Sequence, residues 1–211
     1  MQDERTLAYI RELFAVEDAA LQAARARHES EGLPAIHISP DEGKLLSVLL
    51  HAVGARRVLE LGTLGGYSGV WLARALPEDG RLTSVECDPK HADAAREAFA
   101  DAGVSDKIEL LEGDAREILT TLEPGFDAVF VDADKEPMAH YYHESMRLLR
   151  VGGVLLGDNA TYHDRVADPA DDAPDVRGVR EFNRLASTDP RLAATIVPIR
   201  DGLLVGIKLA P

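Results

Sequence analysis

From Asp3 to about Ser30 apolar residues recur at Leu7, Ile10, Leu13, Phe14, Val16 and Leu21, the spacing of one or two amphipathic helices. Such a segment, a helical extension over residues 1–35, has the polarity to cover the rest of the fold or a partner subunit. A turn at Gly32-Leu33-Pro34 follows, then Ser39-Pro40-Asp41-Glu42, where proline at the first helical position and acids in the first turn predict a helix start. That helix continues through Leu45, Leu46, Val48, Leu49, Leu50 and Val53.

From Arg57 onward, short apolar runs alternate with longer helical patterns. The runs are Val58–Leu61, Leu82–Glu86, Ile108–Leu111, Ala128–Val131 and Val154–Leu156. Between and after them, helices are expected at about Tyr67 to Ala75, Pro89 to Ala102, Ala115 to Leu122, Glu136 to Leu149 and Val176 to Ala186. This alternation predicts right-handed βαβ crossovers and a mostly parallel sheet covered on both faces, a doubly wound, Rossmann-like α/β fold. At the end, Ala194–Ile199 and Leu203–Ile207 flank Arg200-Asp201-Gly202, whose Asp-Gly pair signals a hairpin and an antiparallel last strand. The acidic, proline-containing stretch from Asp164 to Asp175 reads as an active-site lid or a disordered excursion.

A length of 211 residues suits one domain spanning the chain. The formal charge of −14 opposes phosphate polymers and anionic lipid surfaces, and the Lys and Arg residues are scattered, so neither nucleic acid nor membrane is an expected partner. No apolar stretch approaches a bilayer span. A single cysteine, Cys87, and no leader-like start at Met1 point to a reducing, cytoplasmic setting.

The sharpest local signal is Glu60-Leu61-Gly62-Thr63-Leu64-Gly65-Gly66-Tyr67-Ser68: a strand end, a glycine-rich turn and a helix start. Such a turn lets backbone pass close to a ligand at the carboxyl edge of the sheet, although it also serves simply to pack a helix on a strand. The dinucleotide fingerprint fails, because Leu64 stands where the second glycine belongs. Glu60 would be badly placed beside a pyrophosphate and suits a ligand carrying sulfonium and ammonium charges. Glu86 ends the second strand, where an acid accepts from both ribose hydroxyls or is merely solvated. Asp114, after the third strand, can bond an adenine amine and can equally cap the next helix.

The fourth strand runs into Asp132-Ala133-Asp134-Lys135 and the fifth into Asp158-Asn159. Asp132, Asp158 and Asn159 form an all-oxygen set suited to Mg²⁺, Mn²⁺ or Ca²⁺; the bland alternative is that they cap helices. The metal reading is favoured because two carboxylates meeting at one edge are costly without a cation. Lys135 beside them is either an ion-pair partner or a functional base.

At these residues, from about Ile36 to the C-terminus, the sequence resembles the cation-dependent O-methyltransferases that include catechol and caffeoyl-coenzyme A O-methyltransferases. The resemblance implies S-adenosylmethionine (SAM) as methyl donor, a divalent cation, a phenolic small-molecule acceptor and a homodimer. It implies that Ile38 touches the methionine part of the cofactor, that Glu60, Gly62, Thr63 and Ser68 hold its amino acid part, Glu86 the ribose, Asp114 and Ala115 the adenine, and that Asp134 lies near its amine. Asp132, Asp158 and Asn159 are its implied metal ligands, Asp132 doubling as a catalytic residue, and Lys135 its implied base. Relatives tend to read Asp-Lys-x-Asn-Tyr where this chain has Asp134-Lys135-Glu136-Pro137-Met138, and Tyr162 and His163 occupy positions that face the acceptor. The competing expectations are a metal-independent small-molecule methyltransferase and a non-catalytic SAM-binding protein, separable by metal dependence and by a labelled-cofactor turnover assay.

Overall fold

The computed structural model describes residues 3–211. Two helices open the chain, α1 (Glu4–Phe14) and α2 (Ala19–Ser30), capped by the Asp3 and Asp18 carboxylates. α2 buries Leu21, Ala24 and His28, whereas α1 buries none of its residues and leaves Tyr9, Leu13 and Phe14 exposed. Covering the fold therefore falls to α2. α1 is tied to the body by Arg11, 2.5 Å from Asp41.

α3 (Pro40–Ala52) starts at Ser39, whose hydroxyl accepts from Glu42 N, with Pro40 at the first position as expected. Then β1 (Arg57–Leu61), α4 (Tyr67–Ala75), β2 (Arg81–Glu86), α5 (Pro89–Asp101), β3 (Ile108–Glu112), α6 (Ala115–Thr121), β4 (Phe126–Val131), α7 (Met138–Leu148), β5 (Leu149–Gly157) and α8 (Pro174–Thr188) follow. The hairpin β6 (Leu192–Val197) and β7 (Leu203–Lys208) closes the chain. α7 begins at Met138, later than the pattern suggests, because Pro137 lies just outside the helix and Glu136 precedes a proline, which disfavours helical backbone.

The seven strands lie in the order β3-β2-β1-β4-β5-β7-β6. The first five are parallel neighbours, and β7 runs antiparallel between β5 and β6. Alternate residues of each strand feed opposite faces. Val58, Leu82, Ala128, Phe130, Val154 and Leu156 pack with Leu46, Trp71 and Phe99 of α3, α4 and α5 on one side. Leu59, Leu61, Val129, Val131 and Leu155 pack with Leu119, Tyr142 and Phe182 of α6, α7 and α8 on the other. Strand order reverses between β1 and β4, so the loops leaving their carboxyl ends diverge to opposite faces and open a crevice there.

The acidic stretch 164–175 is an ordered wall, not a disordered excursion. Arg165 pairs with Asp171 and Asp175, and Arg180 from α8 donates to the Val166 and Asp171 carbonyls, which ties the stretch together and to α8. Among the described residues no helix is long and apolar enough to cross a membrane.

Candidate functional site

The crevice is a cavity of about 930 Å³, lined by the carboxyl ends of β1 to β5 and the loops after them. This is the size of a site for a cofactor with a small second ligand.

The loop after β1 is built around Glu60. Its side chain has no exposed surface, and its two oxygens accept from the hydroxyls of Thr63 (2.9 Å), Ser68 (2.6 Å) and Ser84 (2.6 Å). Burial raises the Glu60 carboxyl from its ordinary value and the three hydroxyls pull against that rise. Glu60 stands behind the loop; the wall itself is formed by Gly62, Thr63, Leu64 and Ser68. Gly62 must be glycine: its φ is +87°, and a β-carbon there would lie 2.5 Å from the carbonyl oxygen of Asp132, the residue just past the end of β4. β1 and β4 are thereby held at backbone contact below the cavity floor.

Glu86 accepts from Leu64 N (2.8 Å) and Asp88 N (3.0 Å), which ties the glycine loop to the end of β2 while its carboxylate lines the cavity. Asp114 caps α6 and binds the Arg116 guanidinium, so its helix-cap role is realised, and both Asp114 and Ala115 line the cavity. Asp134 accepts from Tyr141 of α7 at 2.5 Å, so one of its oxygens is pinned. Ile38 is buried at the opposite wall, near His28, His37 and Tyr67, whose rings pack at 4.9 and 5.2 Å.

At the far end lies a cluster of acids. Asp132 Oδ1 is 2.9 Å from Lys135 Nζ, and burial, opposed by Lys135 and assisted by Asp158, pushes the Asp132 carboxyl up to about 7. Asp158 is buried; its Oδ1 accepts from Asn159 N (2.6 Å), and its Oδ2 from Asn159 Nδ2 (3.2 Å) and Arg200 Nη1 (3.2 Å). The structure thus brings Asp132, Lys135, Asp158 and Asn159 to one end of the crevice, with Asp132, Lys135 and Asn159 in its wall and Asp158 beneath. Among the described residues no three Asp, Glu, His or Cys side chains form a ligand-like group.

The next segment is strained. Asn159, Tyr162, His163 and Asp164 all have positive φ, between 45° and 63°, an unusual run for residues bearing a β-carbon. It is held by Asp201 at the hairpin tip, which accepts from His163 N at 2.5 Å and from the Thr161 hydroxyl at 3.2 Å, and by Tyr162, which donates to Asp175. Tyr162 and His163 face the cavity.

Two site residues escaped the sequence reading. Glu42 belongs to the first turn of α3, where an acid is explained by the helix dipole; Arg200 sits in a turn, where its type carries no signal. Both reach the acid cluster. Arg200 Nη1 is 3.9 Å from Glu42 Oε2, and both Glu42 oxygens are buried without a hydrogen-bond partner. Burial, with Asp158 and Asp132 nearby, pushes the Glu42 carboxyl up to about 10.

Comparison with known proteins agrees with this geometry. The model of a family described as O-methyltransferase matches residues 11–209. A catechol O-methyltransferase of Niastella koreensis is 41% identical over 204 residues, covering 95% of this chain and 90% of the relative. The catechol O-methyltransferase of Mycobacterium tuberculosis is 42% identical over 182 residues, 86% of this chain and 82% of its own. The crystal structure of the Streptomyces achromogenes O-methyltransferase TomG, involved in tomaymycin synthesis and solved with SAM, superposes with a TM-score of 0.93 at 36% identity over 100% of both chains.

Proposed function

Starting from the chain's membership of the O-methyltransferase family, we propose that it moves the methyl group of SAM to one hydroxyl of a catechol-like, vicinal-dihydroxy aromatic molecule, assisted by a divalent cation. The observation that carries this reading is the junction of two features in one crevice: a glycine loop closed over the end of β1, and an oxygen-rich acid cluster with Lys135 at the other end.

The donor set fits a hard cation. Asp132, Asp158 and Asn159 offer only carboxylate and amide groups, the donors that hard cations take, with Asp132 and Asn159 in the wall of the crevice. Asp132 and Asp158 each face one cationic side chain, Lys135 and Arg200, and a bound divalent ion would add positive charge at the same oxygens. The Asn159 amide now donates to Asp158, and turning it over presents its oxygen instead.

When bound, SAM would supply a sulfonium-borne methyl carbon, whose bond to sulfur breaks as its bond to the acceptor oxygen forms. Asp132, Asp158 and Asn159 would hold a divalent cation, which would supply Lewis-acid stabilisation to the acceptor hydroxyl as it loses its proton. This chain's residues do the rest. Gly62, Thr63 and Ser68 shape the wall for the amino acid part of the donor, Glu86 accepts from its ribose, Asp114 and Ala115 flank its base, and Asp134, steadied by Tyr141, faces its ammonium. Lys135, held at this end of the crevice by Asp132, is the base that takes the proton the hydroxyl releases. Tyr162 and His163, braced by Asp175 and Asp201, form the acceptor's outer wall and limit water access.

The test is turnover of labelled SAM with a simple catechol, before and after chelation. EDTA is expected to abolish turnover while SAM binding, measured by calorimetry, persists; added Mg²⁺ restores the rate. Full activity in the chelated protein refutes the metal-assisted reading in favour of a metal-independent methyltransferase. Lys135→Ala is expected to lower kcat by about 100-fold or more with little change in SAM affinity.

A further inference from the structure

The outer wall at the acceptor's end of the crevice carries both signs of charge, and its cations are already committed. Lys135 is 2.9 Å from Asp132, and Arg200 divides its guanidinium between Asp158 Oδ2 at 3.2 Å and the Ile36 carbonyl at 3.1 Å. Glu136, next to Lys135 in the wall, is exposed, and among the described residues no cation lies within ion-pair distance of it. The carbonyls of Lys135 and Glu136 pack against Gly178 of α8, the helix whose first turn carries Asp175, so both acids border the same part of the crevice. Asp175 is spent on Arg165 and the Tyr162 hydroxyl. The strained loop adds His163. Its ring stacks on that of Tyr162, centroids 5.8 Å apart, and its Nδ1 stands 3.5 Å from Asp201 Oδ2. Asp201 is buried and this oxygen has no hydrogen bond, whereas Oδ1 takes His163 N and the Thr161 hydroxyl. A small turn of the imidazole satisfies it, and a proton held on Nδ1 leaves Nε2 of the neutral ring as a hydrogen-bond acceptor.

We propose that Asp201 fixes the Nδ1–H tautomer of His163, and that His163 Nε2 and the Glu136 carboxylate together select a catechol bearing an ammonium group over one bearing a carboxylate. His163 and Glu136 are then specificity-determining residues, and Asp201 is a positioning residue acting through His163. An ammonium tail meets two hydrogen-bond acceptors, one of them charged. A carboxylate tail meets the same two groups and no uncommitted cation, so it gives up its hydration without replacement. The formal charge of −14 works in the same sense at longer range. This inference rests on the proposed methylation of catechols; it does not depend on the divalent cation.

The test compares kcat/KM, at about pH 8 where ordinary imidazoles are neutral, for catechol itself and for catechols carrying an aminoethyl or a carboxymethyl group, with saturating SAM and Mg²⁺. The parent should prefer the aminoethyl compound over the carboxymethyl one by about tenfold. Glu136→Gln should cut that preference about two- to fivefold, the range for a partly solvated charge pair, and Glu136→Lys should bring the two compounds level or reverse their order. Asp201→Asn keeps an oxygen for His163 N but turns an amide donor toward Nδ1, which moves the ring proton to Nε2; the preference should fall by a similar factor. Nitrogen NMR of histidine-labelled protein, with His163→Gln assigning the signal, should show that change of tautomer. A purely structural Asp201 would lower all three kcat/KM values together and leave their ratio unchanged. If catechol is methylated but the parent shows no preference for the amine, or Glu136→Gln and Asp201→Asn both keep the parental ratio, the selection proposed here is wrong and the methyl-transfer reading stands. If none of the three compounds is methylated, both fall.

Discussion

Gly178, in the first half of α8, lies against the backbone at the end of the acid cluster, and replacing it by alanine tests how tightly that backbone is held. An ideal β-carbon on Gly178 would sit 1.8 Å from the carbonyl oxygen of Lys135, 2.9 Å from its carbon and 3.0 Å from the oxygen of Glu136. All three are main-chain atoms, so no side-chain rotation relieves the overlap. Bringing the closest contact to a bare 3.0 Å requires α8 and the 135–136 segment to part by about 1.2 Å. Overpacking of this kind costs about 1–3 kcal/mol, and the melting temperature of a chain this long should fall by roughly 2–12 °C. The displaced residue carries Lys135 Nζ, now 2.9 Å from Asp132, and a misplacement of about 1 Å near reacting groups costs on the order of 100-fold in rate. Circular dichroism melts and initial rates with SAM and a catechol measure both effects. Gly103→Ala is the control: it has a positive φ of 66° with nothing within 4 Å, so it should lose about 1 kcal/mol and leave kcat unchanged. A Gly178→Ala protein with parental melting temperature and parental kcat would show that α8 does not bear on Lys135 as argued.

Three further outcomes are expected. Asp189 accepts from the Tyr142 hydroxyl, Arg191 N and the Arg191 guanidinium, and that guanidinium holds its carboxyl well below the usual range. Its stabilisation is therefore full above the unfolded-state value, about pH 4, and is lost as pH falls further; Asp189→Asn should cost roughly 2 kcal/mol at pH 7 in urea unfolding, with the gap closing in acid. A gap that stays constant down to about pH 2 contradicts this. Ser84→Ala removes one of three hydroxyls from the buried Glu60 and should lower stability by about 1–3 kcal/mol, read as a shifted urea midpoint. Tyr141→Phe frees the pinned oxygen of Asp134 and should raise KM for SAM several-fold more than it lowers kcat; the reverse split would place Tyr141 with the acceptor instead.

The strands and most helices were legible because their signal is local. Alternating runs from Val58 to Leu156, Ser39-Pro40 at the start of α3 and Asp201-Gly202 at the hairpin each encode their conformation within a few residues. The same holds for the edge where the site lies, since βαβ handedness brings the ends of β1, β2, β4 and β5 to one rim once the alternation is recognised. Periodicity located the helix α1 but not what its apolar stripe meets: burial depends on what lies opposite, and the fold itself takes none of it inside.

Sequence alone thus determined the class of fold, the glycine loop and the carboxylate-bearing strand ends, because covalent neighbours and hydrophobic period suffice for those. Only the tertiary structure decided that Glu60 is saturated from Ser84 on another strand, that Gly178 carries the backbone of Lys135, and that Glu42 and Arg200 meet over Asp158. Those contacts join residues far apart along the chain, and the free energy of a buried charge is set by the groups folding brings around it.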